Sequence, residues 1–88
     1  VIASVPGHHP DLLLALISSR IHQAVPDFDE IIEETEADFA TTGLKTRSVV
    51  RLARLATLTS SLIDARLGRI SPGRLSKIKT CLAAWLTE

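Results

Sequence analysis

A chain of 88 residues with 10 basic and 10 acidic side chains has room for one domain, 1–88, and only a thin core, because short chains bury a modest share of their surface. Its single cysteine, Cys81, excludes an internal disulfide and a cysteine-based zinc site within the chain, and it fits a reducing compartment. The longest unbroken apolar run, Leu12–Ile17, is far too short to span a bilayer; the opening VIASVPGHHP has no basic leader, so a cytoplasmic protein with no membrane partner is expected.

Val1–Val5 reads as a strand entered midway, and the chain holds no methionine, so further residues are expected upstream of Val1. Val5-Pro6-Gly7-His8-His9-Pro10 is a turn. His8 and His9 read as a candidate acid–base pair, since histidine as a residue type suits proton transfer near neutral pH. Adjacent side chains rarely converge on one substrate, however, and an exposed turn is the plainer reading. The run Asp11–Ile17 is compatible with a buried strand or a short helix: its leucines and Ala15 lean towards helix, its length and bounding turn towards strand. Ser18, Ser19, Arg20 and His22 follow. The serines read either as active-site hydroxyls or as strand-end side chains bonded to nearby backbone, and His22 as surface.

Pro26–Thr42 stays open between a strand at Phe28–Ile32 and a helix beginning near Ile31. It contains the acids Asp27, Asp29, Glu30, Glu33, Glu34, Glu36 and Asp38 and no base, whereas Lys45–Lys79 is basic apart from Asp64. A neutral total therefore does not exclude an anionic partner. The acidic run either screens the basic half or solvates a long loop. Thr41-Thr42-Gly43 closes the segment, with glycine permitting a positive φ.

Ser48–Ile63 presents a conflict. Val49, Leu52, Leu55, Leu58 and Leu62 recur at helical spacing, while Val49-Val50 and Thr57–Ser61 are rich in β-branched and turn residues. Ala65–Ile70 fits a short strand. Ser71-Pro72 is the clearest local signal, an N-cap followed by proline at the first helical position. Leu75, Ile78, Leu82, Trp85 and Leu86 then fall on one helical face, which makes Trp85 a core or interface residue and Cys81 a packed thiol.

The order of elements is more specific than any one of them: Leu16-Ile17-Ser18-Ser19-Arg20-Ile21, then Gly43-Leu44-Lys45 leading into Ser48-Val49-Val50, a Thr-containing turn at Ala56-Thr57-Leu58, Leu67-Gly68-Arg69-Ile70-Ser71, and a terminal apolar helix. This pattern resembles the MazF/PemK family of toxin endoribonucleases from type II toxin–antitoxin pairs. The resemblance implies a mainly β fold, a small SH3-like barrel of the CcdB/MazF/PemK type with a C-terminal helix, N-terminally incomplete here and homodimeric. It turns Ser48–Ile63 from helix to strand and turn. It implies cleavage of single-stranded RNA without metal or cofactor, by attack of the 2′-hydroxyl on the adjacent phosphate.

Under that resemblance Ser18 is the catalytic hydroxyl, and Ser19, Arg20, Arg47, Arg51 and Arg54 contact RNA. The family's N-terminal strand and its catalytic arginine would precede Val1. Ala53-Arg54 stands where the family commonly has an acidic residue and glutamine, and Thr57-Leu58-Thr59 replaces Thr-Ile-Asp. The implied partner is a cognate antitoxin whose acidic tail lies in the RNA groove, with Lys45–Lys79 as docking surface. Two other functions compete: a non-catalytic CcdB-like barrel that binds an antitoxin or protein target, and an unrelated helical nucleic-acid-binding domain if Ser48–Ile63 is a helix.

Overall fold

The apolar run after Pro10 and the β-branched start at Ser48 are both strands in the computed structural model, which describes residues 1–88. β1 (Ala3–Ser4), β2 (Asp11–Ser18), β3 (Glu30–Ile32) and β4 (Ser48–Thr59) form one antiparallel sheet in the order β1-β2-β4-β3. A single turn of helix, α1 (Phe39–Thr42), precedes β4, and α2 (Pro72–Leu86) packs on the sheet. The sheet curls into half of a small barrel, with one terminal helix.

Leucine spacing over Ser48–Ile63 marks a bulge, not a helix. Ala15 faces Leu55 across the ladder, yet the next residue, Leu16, faces Arg51. Leu52, Ala53 and Arg54 therefore have no opposite number on β2. In a flat strand Leu52 and Leu55 would point to opposite faces. The bulge resets the alternation, and both side chains meet the core. A helical period was the trace of a bent strand.

Two further expectations are corrected. Ala56-Thr57-Leu58 is not a turn: it pairs with Leu14, Leu13 and Leu12 inside β4, and Thr59 Oγ1 donates to Asp11 Oδ1 at 3.2 Å. The chain turns afterwards, in a 3-10 turn at Ser60–Leu62. Ala65–Ile70 is not a strand. Its backbone instead presses on the C-terminal end of α1, where Arg69 N–H donates to Thr41 O at 2.8 Å. Gly43 and Gly68 make that crossing possible. Gly43 caps α1 at φ 74°, and a methyl group on it would lie 2.2 Å from Leu67 O. A methyl on Gly68 would lie 2.3 Å from Thr41 O. The open strand-or-helix question at Phe28–Ile32 resolves to the short β3, an edge strand.

Ile2, Ile32, Val50, Leu52, Ile78 and Leu82 form the core, with Phe28, Phe39, Leu44 and Cys81 packed around it. Helix α2 starts as its sequence dictates: Ser71 Oγ accepts the Arg74 N–H at 3.2 Å, and Pro72 follows the cap. Its buried face differs from the expected stripe. Arg74, Ile78 and Leu82, spaced by four, face inward. Trp85 is 44% exposed and Leu86 70% exposed, so neither is core. Trp85 meets Phe28 edge-on at 5.3 Å between ring centroids.

Gly68→Ala drives a methyl into backbone that has no side chain to yield. Urea unfolding of this variant should show a loss of about 2 kcal/mol, typical of overpacking at a tight contact. Gly73→Ala, in open space within α2, should leave stability unchanged or slightly raised.

Candidate functional site

Strand β2 ends at Ser18, and the chain turns at once. Ser18 Oγ accepts the Arg20 N–H at 3.1 Å, a local bond that fixes the serine and starts the 3-10 turn Ile21–Gln23. The Ser18 hydroxyl proton has no acceptor in the protein. Ser19 and Arg20 are exposed, and the Arg20 guanidinium makes no ion pair. His8 and His9 lie in an exposed turn at the other end of β2, an eight-residue strand or roughly 24 Å away, so they do not join this group.

Strand β4 supplies the neighbours. Ser18 pairs with Val49 and Leu16 with Arg51, so Ser18, Leu16 and Arg51 share the sheet face opposite the core. Arg51 is held rather than presented. Its Nη1 donates to Gln23 Oε1 at 3.1 Å and its Nε lies 3.4 Å from Asp29 Oδ2, leaving the side chain 14% exposed. Arg47, just before β4, binds Glu33 Oε1 at 2.7 Å. Arg54 sits in the bulge, exposed and without an ion pair. Thus the structure brings Ser18, Ser19, Arg20 and Arg51 to one end of the sheet, with Arg47 beside them and Arg54 farther along β4.

Asp29 organises this end and went unnoticed in the sequence. Its side chain is fully buried. Oδ1 accepts the Leu52 N–H at 2.9 Å, the amide that the bulge strips of a strand partner. Oδ2 accepts the Val25 N–H at 2.9 Å. One carboxylate therefore satisfies the bulge, closes the turn after Ala24 and faces Arg51. A groove of about 520 Å³ between α2 and Asp27–Ile31, bordered by Leu52, Ile78 and Cys81, takes in none of Ser18–Arg20.

The description "PemK-like, MazF-like toxin of type II toxin-antitoxin system" matches residues 1–86 of this chain. The chain belongs to that toxin family. No curated protein sequence matches it. Membership implies an antitoxin as partner. The curled sheet with its terminal helix excludes the competing helical nucleic-acid-binding domain. No helix of the toxin is long and apolar enough to cross a membrane.

The toxin's acidic run is not a solvated loop. Arg74, buried in the first turn of α2, grips Asp38 with two parallel bonds of 2.9 Å, binds Glu36, and reaches Glu30 Oε1 at 3.2 Å and Ile31 O at 3.1 Å. Lys77 also approaches Glu30, at 3.4 Å. Glu34 accepts from Thr46 Oγ1 and the Arg47 N–H, both at 3.1 Å. All acids of this run but the exposed Asp27 are thus engaged within the chain, mostly by its basic half. Arg74 and Asp38 were visible in the sequence only as members of charge runs; their pairing, far apart along the chain, left no local signal.

Arg74's hydrogen bonds hold the Asp38 carboxyl well below the usual carboxylate range, and the bond to Asp38 in turn raises the guanidinium's own pKa. Glu36 is lowered by the Glu33 N–H and by Arg74. Near pH 4 the unfolded chain therefore binds more protons than the folded one. The stability these carboxylates confer is present above that pH and is lost as acid protonates them in the folded state. Asp38→Asn should cost about 2 kcal/mol in urea unfolding at pH 7. It should also flatten the fall in stability below pH 4; an unchanged acid slope would assign that fall to other groups.

Proposed function

We propose that this toxin cuts single-stranded RNA without a metal, in the cytoplasm, under control of its antitoxin. The 2′-hydroxyl attacks the adjacent phosphorus and loses its proton. The bond to the 5′-oxygen breaks, leaving a 2′,3′-cyclic phosphate and a protonated 5′-hydroxyl. Charge builds on the non-bridging oxygens during this step, and donors aimed at them lower the barrier. The observation that carries the reading is the Ser18–Arg20 arrangement. Ser18 Oγ accepts from the Arg20 backbone, which leaves its proton available to a phosphate oxygen, and the exposed Arg20 guanidinium two residues on makes no ion pair. Ser19 and Arg54 extend the contact with RNA. Phosphate binding at Arg47 and Arg51 competes with Glu33 and Asp29.

Cleavage of a single-stranded RNA in EDTA should leave cyclic-phosphate ends, and Ser18→Ala should slow it about 100-fold in single turnover. Intact RNA after incubation with the wild-type protein would sink the reading and favour the non-catalytic, CcdB-like barrel.

The same reading includes a homodimer. Leu12, Leu14 and Leu16 share the face opposite the core with Ala56 and Leu58, and Leu16 is 51% exposed. An apolar strip on a thinly cored molecule favours a second copy. Sedimentation equilibrium should find a dimer for the wild type and a folded monomer for Leu16→Glu.

A further inference from the structure

We propose that Gln23 is a positioning residue for the Ser18–Arg20 site, holding the turn that carries it in place through Arg51. This role rests on the RNA-cleaving reading and deepens it. A continuous chain of hydrogen bonds joins Arg51 to Ser18. Arg51 Nη1 donates to Gln23 Oε1 at 3.1 Å, the Gln23 N–H donates to Arg20 O at 3.0 Å, and the Arg20 N–H donates to Ser18 Oγ at 3.1 Å. The turn needs such a tether. Its other bonds, Ile21 N–H to Ser19 O and Ala24 N–H to Ile21 O, both at 2.9 Å, fix its shape but have both ends inside it. No side chain of Ile21–Gln23 is buried, so packing holds it only weakly against the sheet. The bond from Arg51 to Gln23 is the only hydrogen bond that ties residues 19–24 to a strand other than β2, the one they leave.

The anchor is firm where the turn is not. Arg51 lies on β4, its side chain is 14% exposed, and its Nε is 3.4 Å from Asp29 Oδ2. The Asp29 carboxylate is fixed by the Leu52 N–H and also accepts the Val25 N–H, just past the turn. The turn is thus held at three points: at its entry by β2, at its exit by Asp29, and midway by Gln23. Without the middle point the Arg20 peptide is free to swing, and the Ser18 hydroxyl loses the donor that orients it. Catalytic groups displaced in this way lose rate even while substrate still binds. The residue type suits the task. A side-chain amide oxygen accepts from the guanidinium without bringing negative charge to a surface that has to hold phosphate.

Single-turnover cleavage of a single-stranded RNA over a range of toxin concentrations separates positioning from binding. Gln23→Ala should lower the maximal rate roughly tenfold and leave the half-saturating concentration almost unchanged. Gln23→Glu keeps an oxygen acceptor for Arg51 and should restore the maximal rate, while its charge raises the half-saturating concentration about threefold. Gln23 is exposed, so both variants keep the fold, and their urea midpoints should match the wild type. Amide exchange reads the tether without RNA: in Gln23→Ala the Arg20 and Ala24 amides should exchange about tenfold faster, with no change at Val50 in the sheet. The proposal is overturned if Gln23→Ala keeps the full maximal rate, if exchange at Arg20 and Ala24 is unaltered, or if Gln23→Glu is as slow as Gln23→Ala. A wild type that leaves the RNA intact fails at the RNA-cleaving reading itself, and the role of Gln23 falls with it.

Discussion

One guanidinium joins the two halves of this molecule. Arg74 stands at the start of the terminal helix and takes its partners from β3, from the loop after it and from the residue preceding α1. Without it, α2 would rest on little more than Ile78 and Leu82. A buried ion cluster contributes modest net stability, because desolvation offsets most of its attraction. What it supplies here is position. Planar bidentate geometry with Asp38 admits one orientation of the helix end, and Asp38 Oδ2 also accepts the Ser71 N–H at 3.2 Å, tying the cap to the same carboxylate.

A second carboxylate works likewise at the other end of the fold. The bulge in β4 bends the sheet towards closure and leaves the Leu52 amide without a strand partner. Asp29 supplies the acceptor, and in doing so brings Arg51 under cover. The bend and the burial of Arg51 have one cause. Consequently the proposed chemistry at the end of β2 rests on Ser18 and Arg20 more than on Arg51, which already has partners. An acidic run that looked like bulk charge is a set of individually assigned ligands.

Elements with local signatures were legible in the sequence. Ser71-Pro72 announced the start of α2, and the Pro-Gly turn bounded β2 correctly. The ordered pattern from Leu16 to Leu86 gave the family, and with it the strand at Ser48, against a helical period that the bulge had produced. What escaped was non-local. Leu67-Gly68 looked like part of a strand because its partner is backbone at the C-terminal end of α1, remote in sequence. The expected helix face differs at both ends: Arg74, not Leu75, takes the inward position of the first turn, and Trp85 and Leu86 lie past the core that Ile78 and Leu82 reach. At the candidate site the sequence placed Ser18, Ser19 and Arg20 side by side, but it could not separate Arg51, which is held inside, from Arg54, which is not.

Anchoring α2 at its start has a further effect. Support is greatest at Arg74, continues through Ile78 and Leu82, and ends with the edge contact between Trp85 and Phe28. Local opening free energy therefore declines along the helix, and the last turn frays at a fraction of the cost of global unfolding. Backbone amides near Leu86 are therefore expected to exchange with solvent well before those near Ile78. The C-terminal turn is the part of this fold that a bound molecule can order or displace while the sheet stays intact.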